Sequence, residues 1–258
     1  MPVLLMTVWL TGCVQEELGS TPSPAGNGIR FTLTVPDVNL PSVSSRTMTG
    51  TGTAKKEDEI ETVDILVFDM SKTPAVFLEW VSATGVTQDL ADNSTVSFSA
   101  VLSPTTASTC IVVVANKELD NIVPGFIKGT TTKVEAMEKM LHAQTGKWLA
   151  DGSTTDGYTR IPMYGEKVIS KITPSMDPIT GINMKRMLAR IDIRNNSATS
   201  NFTVEEVYLA NYNTTGYIAP AWNTNGQVTD PAPDTPVLPV NSGKMTEEGD
   251  AILYSVNG

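Results

Sequence analysis

The sequence predicts a mainly β protein in which sheets pack on one another, interrupted by one short helix. Three observations predict it. Thr, Ser, Val and Asn are abundant while only 18% of residues are charged, a mix that favours strands and turns over helices. Several short segments alternate apolar with polar residues or are apolar throughout, as half-buried and central strands do. Only one stretch repeats apolar residues at helical spacing behind a capping signal.

The totals set bounds on organisation and partners. At 258 residues the chain is long enough for one large or two ordinary domains. Its net charge of −10 comes from 28 acidic against 18 basic residues. No Lys/Arg cluster interrupts that balance, which excludes a nucleic-acid partner, because phosphate binding needs a basic footprint.

The elements follow in chain order. Residues 1–13, MPVLLMTVWLTGC, are apolar, end in small residues and are too short to span a bilayer, so they read as a secretory signal. No Lys or Arg precedes the run, and the natural start is expected upstream. Leu10-Thr11-Gly12-Cys13 resembles a bacterial lipobox, in which the cysteine is acylated and becomes the mature N-terminus. Val14-Gln15-Glu16-Glu17 resembles the acidic export tags of surface lipoproteins of the Bacteroidetes. Residues 14–28, with Gly19, Pro22, Pro24, Gly26 and Gly28, make a flexible tether.

Ile29, Phe31, Leu33 and Val35 then alternate with Arg30, Thr32 and Thr34 as a core strand. This strand runs into a Ser/Thr/Gly tract carrying a solitary Arg46, a bond open to trypsin-like proteases. Lys55 to Glu59 is a charge run, and it reads with Glu61 and Asp64 as a solvated turn, because the spacing of a calcium loop is missing. Thr62–Phe68 reads as a central strand, and Val76–Trp80, Thr95–Leu102 and Thr109–Ala115 as further strands of packed sheets.

Thr132-Lys133-Val134-Glu135 fits a capping box, and Val134, Met137 and Leu141 continue at helical spacing until Gly146. Strands are expected again at Tyr158–Tyr164 and Glu166–Ile172. Pro174, Pro178 and Gly181 mark a break, which places one domain at 29–182 and a second at 183–258. In the second, MKRMLARIDIRNN (184–196) alternates apolar Met187, Ala189, Ile191 and Ile193 with Arg186, Arg190, Asp192 and Arg194 as an exposed strand whose charges pair laterally. Thr203–Asn211 is its expected partner, and Ala251–Val256 a last strand after a Pro-rich loop. The stretch after 182 is short for a sandwich, which typically needs about 100 residues, so the natural chain is expected to continue.

Little in the sequence points to catalysis. The single histidine, His142, is expected near the helix C-terminus, where the dipole favours a cation. No GxSxG elbow presents a serine, and one histidine with two cysteines makes no zinc or iron site. Neither a cofactor nor a metal is implied. Cys110, in an apolar run, reads as a small buried hydrophobe. Trp80, Trp148, Trp222 and Tyr212 are expected to fill cores, or, clustered on one exposed face, to form a sugar platform.

Taken in order, the lipobox ending at Cys13, the strand from Ile60 to Asp69, Val113-Val114-Ala115-Asn116, Ile161-Pro162-Met163-Tyr164-Gly165 and the Met187–Ile193 strand resemble the fimbrillins. These are subunits of the Bacteroidetes type V pilus, of the major-subunit or Mfa-like kind. The resemblance implies two transthyretin-like β-sandwich domains, the helix lying in the first, and no enzymatic activity. It implies export as a lipoprotein to the outer membrane through lipid on Cys13, then cutting at Arg46-Thr47 by an arginine-specific protease. The cut would remove the strand of Ile29, Phe31, Leu33 and Val35 and leave a groove for a donor strand. The implied partners are other fimbrial subunits in a head-to-tail polymer, and host or bacterial surface ligands of the fimbrium. Without the cut, the chain would be a permanently lipidated anchor or cap. A glycan-binding surface lipoprotein is the alternative outside pili.

The energetics suit exchange. Burying four such side chains is worth about 1.5–3 kcal/mol each, roughly 6–12 kcal/mol as an upper figure. That matches the whole stability of an ordinary domain, about 5–15 kcal/mol.

Overall fold

The structure, a computed structural model, describes residues 28–35, 58–88, 95–143, 160–188, 213, 215–228 and 238–239. Within them, a stretch with both faces apolar needs cover on both sides, and two strands show this most clearly. β2 (Val63–Asp69) and β6 (Thr109–Ala115) are buried almost throughout. Ile65 and Val67 of β2 and Ile111 and Val113 of β6 point into one core, while Leu66, Phe68, Cys110, Val112 and Val114 point into another. The period of two divides each strand between two cores.

The first core lies between two sheets. One has the order β4-β5-β1-β9, built from β1 (Ile29–Thr34), β4 (Thr84–Gln88), β5 (Thr95–Ala100) and β9 (Ile179–Asn183). The other has the order β10-β8-β6-β2-β3, adding β3 (Val76–Ser82), β8 (Met163–Ile169) and β10 (Lys185–Arg186). Face-to-face packing of two sheets over one apolar layer makes a sandwich. The fold is mainly β, as the composition predicts.

The second core covers the outer face of the five-stranded sheet with α1 (Lys133–Lys139), the Leu119–Phe126 loop and residues near Ile218. A two-stranded sheet joins β7 (Leu141–Ala143) to β11 (Thr215–Tyr217). α1 starts where its capping box places it: Thr132 Oγ1 accepts from Glu135 N at 3.2 Å, and Thr132 N donates to Glu135 Oε2 at 2.8 Å. It ends earlier than the spacing predicts. Leu141, expected to continue the helix, instead pairs with Tyr217, and the buried helical face is Lys133, Ala136 and Met137 rather than Val134 and Leu141.

Other expectations shift too. Pro174 and Pro178 do not end the fold, since β9 follows directly and pairs with β1. Gly181, at φ +71°, lies where the β1–β9 register slips between Phe31 and Leu33, a bulge that needs a left-handed residue. The two strands expected over Tyr158–Tyr164 and Glu166–Ile172 are, in the described residues, the single strand β8. Lys185 and Arg186 pair with Tyr164 and Met163, and so extend the five-stranded sheet. The strands expected at Thr203–Asn211 and Ala251–Val256 lie outside the described residues.

Candidate functional site

β1 is the strand whose removal the fimbrillin resemblance implies, and it sits inside its sheet, between β5 and β9. It runs antiparallel to β5, with Ile29 opposite Ala100 and Thr34 opposite Thr95, and parallel to β9. Its inward side chains reach the floor of the first core: Ile29, Phe31, Leu33 and Val35 are 4%, 1%, 0% and 1% exposed. Phe31 stacks on Phe98, and Ile182 and Met184 close the far side. Met184 N donates to Thr34 O at 2.8 Å. Removing β1 would strip one ladder from β5 and the other from β9 and open an apolar trough between them. Of the other residues expected to act here, Cys13, Arg46 and Thr47 lie outside the described residues.

The segment that begins at Asp58 is held by a set of polar clamps. Asn116, at φ 57°, accepts from Glu61 N at 3.0 Å through Oδ1. Its Nδ2 donates to Glu59 O at 2.8 Å and to Ile161 O at 3.0 Å. Gln88 Oε1 accepts from Ile60 N at 3.0 Å, and Gln88 Nε2 donates to Asp58 O at 2.7 Å. Arg160 pairs with Glu59 at 3.0 Å and Glu61 at 2.8 Å, and Arg186 pairs with Asp58. The acidic run expected to be solvated is therefore held by two arginines distant in sequence. None of these polar clamps is made by a β1 residue, although Ile60 itself is buried in the same core as Ile29, Phe31, Leu33 and Val35.

Chemistry is not the theme of the remaining polar groups. His142 lies near the helix C-terminus, as its spacing suggested, in β7 just past the C-cap Met140 and opposite Gly216. Cys110 is fully buried, and burial pushes its thiol up to about 12, far from the reactive range. Among the described residues no group of three His, Cys, Asp or Glu could hold a metal, and no helix is long and apolar enough to cross a membrane. Trp80 and Trp222 pack on the second core, with Trp222 edge-on to Tyr217 at 5.0 Å, while Trp148 and Tyr212 lie outside the described residues. Sequence reasoning missed Lys133, 1% exposed and paired with Glu166 at 2.6 Å; in the first turn of a helix it reads as an exposed cation.

Comparison with known families matches residues 23–253 to the model described as fimbrillin-A associated anchor proteins Mfa1 and Mfa2. The chain belongs to that family. As a family member it is a structural protein and not an enzyme, a pilus-associated protein of the cell surface that works with other fimbrial subunits. No curated protein matches it. Among solved structures it is similar to a fimbrial assembly protein from Parabacteroides distasonis, at 11% identity and a TM-score of 0.40, over 86% of this chain and 78% of that one.

Proposed function

We propose that the chain is the lipid-tethered anchor of a pilus: acylated on Cys13 at the outer membrane, it keeps β1 as a permanent core strand and offers the rest of its fold to the next subunit. The observation that carries this reading is the place of β1, hydrogen-bonded on both sides and joined directly to the tether of residues 14–28. In this reading a pull on the lipid reaches the fold first at β1, the next segment of the chain. The ladders to β5 and β9 on its two edges hold it there. The description of the family as anchor proteins favours the same reading. In it the first sandwich comprises residues 29–182 together with β10, covered on its outer face by residues 215–228, and the other later residues build a second, transthyretin-like one.

A second reading rests on the same slot. If an arginine-specific protease cuts Arg46-Thr47, lipid and β1 leave together, and the strand of another subunit fills the trough between β5 and β9 by strand addition. Such contacts are head to tail and do not close, the condition for a filament. The chemical state of the mature N-terminus tests the choice: acylated Cys13 supports the anchor, and a start at Thr47 supports exchange. Replacing Arg46 with Ala leaves an anchor unchanged and abolishes loss of β1 in an exchanging subunit.

A further inference from the structure

The buried cation Lys133 is spent on a distant loop. Its Nζ donates to Glu166 Oε2 at 2.6 Å and to the backbone oxygen of Gly226 at 2.6 Å, and lies beside the Cys110 thiol. Tyr164 Oη donates to the same Glu166 oxygen at 2.6 Å, while Glu166 Oε1 accepts from Val228 N at 3.3 Å. A buried lysine without such partners would be costly. Two of the groups that satisfy this cluster come from one hairpin, Trp222–Val228, whose ends bridge to each other.

That hairpin is self-supporting. Asn223 N donates to Gln227 O and Gly226 N to Asn223 O, both at 2.9 Å. Asn223 Oδ1 accepts from Asn225 N at 2.9 Å and Gln227 N at 3.1 Å. Its tip is shaped for α1: Gly226 has φ +74°, and a Cβ there would meet Lys133 Cβ at 3.2 Å and Val134 Cγ2 at 3.3 Å. Trp222 and Val228 flank the tip and pack on the second core.

We infer that the Trp222–Val228 hairpin is a preformed plug that docks on the start of α1, with Lys133 as the buried group that recognises it and Gly226 as the residue that lets it seat. The docking fixes residues 215–228 against the outer face of the five-stranded sheet. It acts on the opposite face of that sheet from β1, so it holds whether β1 is kept or replaced.

Hydrogen exchange on the full chain tests this with two variants. Lys133→Met removes the charge that holds the Gly226 carbonyl. Gly226→Asn keeps a residue that tolerates the left-handed backbone but adds a side chain at the contact. The expected result is exchange about tenfold faster or more over residues 218–228 in both variants, with β2 and β6 unchanged, because the plug opens locally. Unchanged exchange over 218–228 in Gly226→Asn overturns the inference, as does a rise shared equally by β2 and β6. Should Lys133→Met fail to fold, Gly226→Asn alone decides.

Discussion

Phe31 and Phe98 face each other directly across the β1–β5 ladder, their rings stacked 5.0 Å apart and 7° from parallel. One ring belongs to β1 and the other to its antiparallel neighbour β5. The pair fills the middle of the first core and ties the fate of β1 to that of the whole sandwich.

Phe31→Ala is expected to cost about 3–5 kcal/mol, the range for removing a buried aromatic side chain. Arg30→Ala, one residue away and exposed, should change stability by no more than about 0.5 kcal/mol. Urea unfolding of the two variants checks the contrast. Equal midpoints would mean that β1 does not hold the core.

Asn116 is the hub of the clamp downstream of Arg46. Asn116→Gly keeps the left-handed backbone available but removes the bonds to Glu59, Glu61 and Ile161. It is expected to cost about 1–3 kcal/mol and to raise hydrogen exchange across residues 59–62 before it affects β6.

Asp64 should give the protein a distinctive acid response. Burial raises its pKa above the ordinary 3.8, opposed by the hydrogen bond from Ser82 and smaller neighbours. The folded state then holds the proton more tightly than the unfolded chain. Its contribution favours folding below pH 3.8 and is lost as pH rises through the folded value. Asp69 moves the other way, since its bond to Ser71 lowers its pKa; its stabilisation is present above 3.8 and lost as pH falls. Comparing the unfolding midpoint of wild type and Asp64→Asn from pH 3 to 7 isolates the effect of Asp64. Wild type should gain stability relative to the variant as pH falls.

Much of this was legible in the sequence, and the reasons are local. β1, β2, β5 and β6 declare themselves because their side chains alternate or are apolar on both faces, and the start of α1 because Thr132 and Glu135 are only three residues apart. What stayed hidden depends on partners far along the chain. Leu141 leaves the helix because β11 claims it, and β9 hides behind Pro178 and Gly181 because its bulge needs the residue that resembles a break. Arg160 and Arg186 reach Glu59 and Asp58 only once the sheet has formed. Lys133 gave no signal, since burial of a helical lysine follows from Glu166 and Gly226. At the N-terminal site the strand and its four inward residues were readable, whereas its central place between β5 and β9 was not.

Cys110 should be inert in the folded protein, because burial holds the thiol protonated up to about 12 and the thiolate is the reactive form. Alkylation with iodoacetamide at pH 8, followed by peptide mapping, should leave Cys110 unlabelled in the native protein and label it in denaturant. Labelling under native conditions would show that the second core opens.

The anchor reading turns on one covalent fact, the N-terminus of the mature protein at the cell surface. Mass spectrometry of protein released from intact cells should find an acylated Cys13 followed by an unbroken chain through β1 and Arg46-Thr47. A mature chain beginning at Thr47, with residues 13–46 gone, would contradict the anchor and show that β1 is given up.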